Sequence, residues 1–243
     1  VTAFPSRRGG LYYLDGIGGR TYVSVTEVLN VLNKPALLTW AARTAAEAIF
    51  ADPVGVSTVE AAVASIHTKR NKAADRGHDA HAVADAYARA YRESPVEKDR
   101  PVLEIGGVDV TKNVYFPAID GFFRTIQPTV LLSEATLANG THGYAGTTDL
   151  VAEIAGQLFV IDWKTSKGVY PEMRLQLAAY ANAERIIGND FNSAAPMPKI
   201  DATAIVLLRQ DGTFEWHPFR LEASDFEAFI ALKRVWDWKK AQE

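Results

Sequence analysis

The stretch Gly143 to Lys167, GYAGTTDLVAEIAGQLFVIDWKTSK, constrains the chain more than any other. It holds two strand-like runs, Thr147 to Ile154 and Gln157 to Lys164, separated only by Ala155-Gly156, a pair short enough for a tight hairpin turn. Such a turn sets the register. Ile154 faces Gln157, and counting outward brings Asp149 opposite Asp162 and Thr147 opposite Lys164. Side chains alternate along a strand, so Asp149, Asp162 and Lys164 share one face while Leu150, Phe159 and Ile161 take the other. Cβ atoms of directly opposed residues lie about 5 Å apart, where like charges repel. The acidic pair has two readings. It can hold a hard divalent cation such as Mg²⁺, which binds carboxylate oxygens and keeps positions for a substrate phosphate. Alternatively, both carboxylates sit on a solvated strand face and Lys164 neutralises one of them. Val151 and Val160 share the acidic face, which argues for partial burial.

Elements on either side can be read from periodicity and turn chemistry. GLYYLDGIGGRTYVSV predicts a structural hairpin from about Leu11 to Val25 around a Gly-rich turn. Ser24 and Glu27 have the spacing of a capping box, and Pro35 opens a helix through LLTWAARTAAEAIF. Trp40 and Arg43 there are either core and surface residues or groups that stack on and grip a nucleic acid. An alanine-rich helical stretch runs from about Val59 to Arg92, with Gly77 expected to split or kink it. His78 and His81 are three apart and Asp85 follows His81 by four, so all three can share a face.

VLEIGGVDVT predicts a short hairpin with Gly106-Gly107 at its turn. A helix from about Asn113 to Thr125 follows, with Pro117 in its first turn and Phe116, Ile119, Phe122 and Phe123 facing the core. The strand Thr129 to Asn139 carries Glu134 at its centre, and a charge in an apolar strand is expected to be paired or to reach a metal site. YPEMRLQLAAYANAERIIG predicts a helix from about Glu172 with Met173, Leu177 and Ala181 inward. Gln176 and Tyr180 share an edge of it, as surface residues or as part of a site. Two strands around Asp211-Gly212 and an amphipathic C-terminal helix close the chain.

At 243 residues and 48% hydrophobic content, one sizeable core suffices. A single domain over 1–243 is expected, with a helical N-terminal part at about 24–92, a core at about 100–221 and a C-terminal helix at about 222–241. No apolar run is long enough to span a membrane, and the N-terminal VTAFPSRRGGLYYLDG lacks the apolar core of a signal peptide. The absence of cysteine excludes disulfides, thiolate zinc sites and iron–sulphur clusters, so any metal must sit on oxygen and imidazole. A net charge of −3 provides no global basic footprint. Nucleic-acid contacts must then be local, at Lys69, Arg70, Lys72 and Arg76 or at Lys164, Lys167 and Arg174, unless these are simply solvated faces.

Taken in order, these features resemble the PD-(D/E)xK nuclease superfamily, and within it the RecB-type exonuclease branch with its many phage-encoded members. The matching marks are Gly77-x-x-x-His81 on a helix, Glu134 ahead of the hairpin, Gly146-x-x-Asp149, Asp162-Trp163-Lys164, and Gln176-x-x-x-Tyr180. They span roughly Arg76 to Tyr180, and their co-occurrence is specific where each alone is not. Thr148 stands where the family name has proline.

The resemblance implies an α/β fold, a mixed central β-sheet flanked by helices with a restriction-endonuclease-like core and a helical N-terminal region. It implies one or two Mg²⁺ or Mn²⁺ ions on His81, Asp149, Asp162 and the backbone carbonyl of Trp163. Lys164 would orient or help deprotonate the attacking water and stabilise transition-state charge. Glu134 would complete the catalytic set with Asp149, Asp162 and Lys164, either contacting the metal through water or holding neighbouring groups in place. Gln176 and Tyr180 would position the site or the scissile strand, and Arg76, Lys167 and Arg174 would also bind the DNA.

The implied activity is a cluster-free DNA exonuclease acting on single strands or duplex ends in recombination, replication or repair. Its setting would be cytoplasmic, in the bacterial host if phage-encoded. Without a P-loop, unwinding falls to a helicase or recombination partner. The alternatives are a structure-selective endonuclease of the same fold and a nuclease-like module that binds without cutting. The intact metal and lysine positions speak against the last.

Overall fold

The hairpin turn has the geometry its two residues suggest. In the computed structural model, which describes residues 11–14, 20–32, 34–93, 104–105, 108–188 and 194–243, Ala155 and Gly156 have φ of 51° and 77°. Two successive positive φ angles are what a type I′ turn requires, and its twist matches that of the flanking strands. The strands β6 (Tyr144–Ile154) and β7 (Gln157–Lys164) pair antiparallel from Ile154↔Gln157 to Leu150↔Ile161, the register counted from the turn.

Around this hairpin the described strands form a nine-stranded mixed sheet. β5 (Thr129–Asn139) pairs antiparallel with β6 along most of its length. On the far side of β7 lies β10 (Ala202–Leu208), parallel to it, followed by β11 (Phe214–Arg220). Beyond β5 come two three-residue strands, β8 (Arg185–Ile187) and β9 (Ala194–Pro196). The first hairpin, β1 (Leu11–Leu14) and β2 (Arg20–Ser24), joins the sheet through a parallel contact of β2 with Tyr144 and Ala145. A separate pair, β3 (Glu104–Ile105) and β4 (Val108–Asp109), forms where the second short hairpin is expected. The glycine turns of that pair and of β1–β2 lie outside the described residues.

Six helices accompany the strands among the described residues. Ser24 caps α1 (Val25–Leu29) by accepting a 3.0 Å hydrogen bond from Glu27 N, as the capping spacing predicts. Pro35 starts α2 (Pro35–Ala51). α3 (Val59–Glu93) is continuous for 35 residues, so the helix is not split at Gly77. One glycine costs a helix only about 1 kcal/mol, less than the surrounding run of alanines and long side chains supplies. α4 (Phe116–Ile126) holds Pro117 in its first turn and ends on Gln127, a left-handed residue whose N–H donates to Phe123 O. α5 (Pro171–Ala181) and α6 (Ala223–Lys240) complete the set. No helix among the described residues is long and apolar enough to cross a membrane.

The chain divides into two compact units, residues 1–31 with 81–243, and residues 32–80. In the smaller unit, Lys69 pairs with Glu47 at 3.1 Å, linking α3 to α2. The larger unit holds the sheet and its core. There Phe122 of α4 meets Trp163 edge-on at 4.9 Å, and Phe123 stacks on Tyr87 of α3 at 4.7 Å. Phe116, Ile119, Phe122 and Phe123 are all buried, as their spacing predicts. Truncating one such aromatic to alanine costs about 3–5 kcal/mol. Elsewhere Tyr144 meets Phe229 of α6 at 4.9 Å and donates to Ala179 O of α5.

Candidate metal centre

The site lies at a fork in the sheet. One edge of β6 pairs with β5, but its other edge is shared: β2 takes Tyr144 and Ala145, and β7 takes Leu150 to Ile154. Residues 146–149 fall between the two pairings. At its C-terminal end β7 stays with β10, matching Asp162 to Ile205, Trp163 to Val206 and Lys164 to Leu207. The expected cross-strand pairs Asp149–Asp162 and Thr147–Lys164 are therefore not part of the β6–β7 ladder. Instead the Asp149 carboxylate reaches into the fork, where Oδ2 accepts a 2.7 Å hydrogen bond from Trp163 N. A side chain occupies the place of a backbone carbonyl, and the strands separate to admit it.

Two further groups converge on Asp149. His81, on α3, lies with Nδ1 3.1 Å from Asp149 Oδ1. Glu134 comes from β5, between the pairs Ser133↔Leu150 and Ala135↔Thr148. Ligand atoms of His81, Glu134 and Asp149 all lie within 4.8 Å of one another. Asp162 stands outside this trio, 2% exposed, with Lys164 Nζ against its Oδ2. Lys164 and Asp162 thus form a buried ion pair. Asp149 is 7% exposed, so the acidic pair is buried and the solvated-face reading does not hold.

The electrostatics follow from burying three carboxylates beside two cations. Burial, reinforced by Asp149, pushes Glu134 up to about 7. Burial also lifts Asp162 to about 6 against the pull of Lys164. For Asp149 the burial penalty is outweighed by the His81 hydrogen bond and charge, and its carboxyl titrates below the usual range. Burial works to lower His81, but the Asp149 hydrogen bond and charge leave it above the ordinary imidazole value. Lys164 likewise overcomes burial through Asp162 and Asp149 and is held above the ordinary lysine value. Negative charge is in excess here, and it is kept tolerable by protons.

Such a donor set could hold a metal ion. It offers one imidazole nitrogen and carboxylate oxygens at close range.

The other anticipated residues are placed unevenly. Tyr180 is 3% exposed, so it is a core residue and not a surface one; Gln176 Nε2 donates to its hydroxyl at 3.0 Å. The Tyr180 ring packs on Gly146, where a Cβ would fall 2.5 Å from its Cε1. The Gln176–Tyr180 pair thus leans on the segment that leads to Asp149. Lys167 is exposed in the loop after β7, and that loop is tied down by Arg209, which donates to the carbonyls of Ser166 and Lys167. Arg174 is engaged structurally, paired with Asp225 at 2.7 Å and lying over Phe219. Arg76 is exposed on α3 within the smaller unit. Trp163 contributes its N–H to the site, through Asp149.

Sequence reasoning missed Ser133, whose hydroxyl donates to Asp85 at 2.6 Å. Helical spacing put Asp85 on the His81 face; nothing local marks a serine on a strand 48 residues further on.

Compared with known proteins, the chain matches no family model and no curated sequence.

Proposed function

We propose that the protein is a metal-dependent deoxyribonuclease, an exonuclease hydrolysing phosphodiester bonds at DNA ends or in single strands. The observation that carries this reading is the convergence of His81, Glu134 and Asp149 beside the Asp162–Lys164 pair at one fork. His81, Glu134 and Asp149 would hold a Mg²⁺ or Mn²⁺ ion, with Asp162 adjacent. The ion supplies electrophilic stabilisation of charge developing on a phosphate.

The chain's own groups do the rest. Trp163 N fixes one oxygen of Asp149, so the carboxylate keeps its direction without reorganisation. Lys164 keeps its ammonium protonated at neutral pH, ready to orient a water and to face an incoming phosphate oxygen. Glu134, whose carboxyl burial pushes up to about 7 in the metal-free protein, would give up its proton on binding the ion. Gln176 and Tyr180 brace the fork, and exposed Lys167 offers a charge to the DNA backbone.

The test uses end-labelled linear DNA, single-stranded and duplex, alongside closed circular DNA, with Mg²⁺, Mn²⁺ or EDTA. Digestion of the linear substrates with either ion, none with EDTA, and intact circles are expected. Cutting of circles would replace the exonuclease with an endonuclease, and DNA retention without cleavage under any cation would overturn the catalytic reading.

A further inference from the structure

The C-terminal part of α3 meets β5 through a polar strip. His81, Asp85, Arg89 and Arg92 recur at intervals of four, four and three, so they line one helix face. His81 reaches Asp149, Asp85 and Arg92 engage the strand just ahead of Glu134, and Arg89 pairs with Asp85. Asp85 Oδ1 accepts from Ser133 Oγ at 2.6 Å and from Arg89 Nε at 2.8 Å, while Arg92 Nη1 donates to the Leu131 carbonyl at 3.3 Å.

These contacts fall on the irregular part of β5. The pairing with β6 shifts between Val130 and Leu132, and two residues later Glu134 has a φ of 47°. The left-handed region is unfavourable for a residue with a Cβ, and such a conformation persists only where its surroundings hold it. Irregularities of this kind re-aim a side chain out of the regular alternation of a strand. Here the re-aimed side chain is a carboxylate that ends within 4.8 Å of His81 and Asp149 ligand atoms.

We propose that Asp85 and Ser133 are positioning residues for the cation site. Their hydrogen bond anchors the distorted strand to α3 and thereby turns Glu134 toward His81 and Asp149. Neither residue belongs to the ligand trio; both act through Glu134. This inference rests on reading the trio as a cation site and not on what the cation then does.

Calorimetric titration of the full chain with Mn²⁺ tests it in two backgrounds, native and Glu134→Ala. Ser133→Ala in the native background is expected to weaken Mn²⁺ binding about tenfold or more, and Ser133→Thr, which keeps the hydroxyl, to restore it. In the Glu134→Ala background Ser133→Ala is expected to cause no further loss, because the residue it acts through is gone. Should Ser133→Ala fail to fold, Asp85→Asn is compared in the same two backgrounds with the same expectation. Equal losses in both backgrounds, no loss in the native one, or no Mn²⁺ binding by the native protein overturns the proposal. Mn²⁺ binding with this pattern but no DNA cleavage supports it and overturns the nuclease reading alone.

Discussion

Asp149 accepts the Trp163 N–H through one carboxylate oxygen at 2.7 Å and keeps the other for His81. One side chain thus performs a structural task, holding open the fork between β6 and β7, and a chemical one, presenting an anionic oxygen at its mouth. The two tasks can be separated by substitution.

Asp149→Asn retains an oxygen that can accept from Trp163 N but loses the charge. It is expected to fold with nearly native stability and to lose Mn²⁺ binding and cleavage. Asp149→Ala leaves a buried N–H without its acceptor and should cost about 1–3 kcal/mol in addition. Urea denaturation of both variants, with calorimetric titration of Mn²⁺, distinguishes the two losses.

Gly146→Ala should destabilise the protein by about 1–3 kcal/mol, because the new methyl meets the Tyr180 ring at 2.5 Å and Val25 Cγ2 at 3.2 Å. Since Tyr180 and its partner Gln176 brace the segment leading to Asp149, cleavage should fall as well. Chemical denaturation and a cleavage assay at saturating Mn²⁺ check both effects, and unchanged stability would show that the ring can move aside.

Without metal, stability should decline as pH rises from about 5 to 8. Glu134 and Asp162 titrate near 7 and 6 in the folded protein, above their ordinary values of 4.5 and 3.8, and His81 is also raised. In that window the folded state binds more protons than the unfolded one, so each step up in pH favours unfolding. Asp149, whose pKa is lowered, acts oppositely only at the acid end of the range. The combined effect is on the order of a few kcal/mol at most. Melting temperatures in EDTA should fall across this range, and Mn²⁺ should restore more at pH 8 than at pH 5, where protons compete for the same oxygens.

Much of this architecture was legible because it is local. Ala155-Gly156 dictates a register, Ser24 and Glu27 dictate a cap, and the spacing of Phe116, Ile119, Phe122 and Phe123 dictates a buried helix face. Pairings between distant segments were not legible. The pattern from Glu172 reads as helix through Ile187, yet Arg185–Ile187 form β8, which like β9 is too short to carry a strand pattern, and the parallel contact of β2 with Tyr144 and Ala145 is decided by the sheet as a whole. Within the site, His81, Glu134, Asp149, Asp162 and Lys164 were nameable from residue type and order. Their distribution was not: the close trio includes Glu134, and Asp162 turns to Lys164. A left-handed glutamate has no signature in sequence, since the contacts that impose it come from a helix some 50 residues earlier. Arg174 shows the converse, a cation expected to bind DNA whose charge is taken up by Asp225.

Lys164→Ala removes the only cation in contact with the buried Asp162 carboxylate among the described residues. Cleavage should drop at least about a hundredfold, while Mn²⁺ affinity stays the same or rises as a competing positive charge disappears. Thermal unfolding in EDTA should show a lower melting temperature, partly recovered by Mn²⁺, which takes over the neutralising role.

The most direct measurement is the single-turnover rate at which the protein releases nucleotides from end-labelled single-stranded DNA as Mn²⁺ is titrated, run in parallel on Asp162→Ala and Lys164→Ala shown by circular dichroism to be folded. The expected rate saturates with Mn²⁺ in the native protein, vanishes in EDTA and is lost in both variants. A native protein that releases nothing at any Mn²⁺ concentration, or variants that match the native rate, would contradict the nuclease reading.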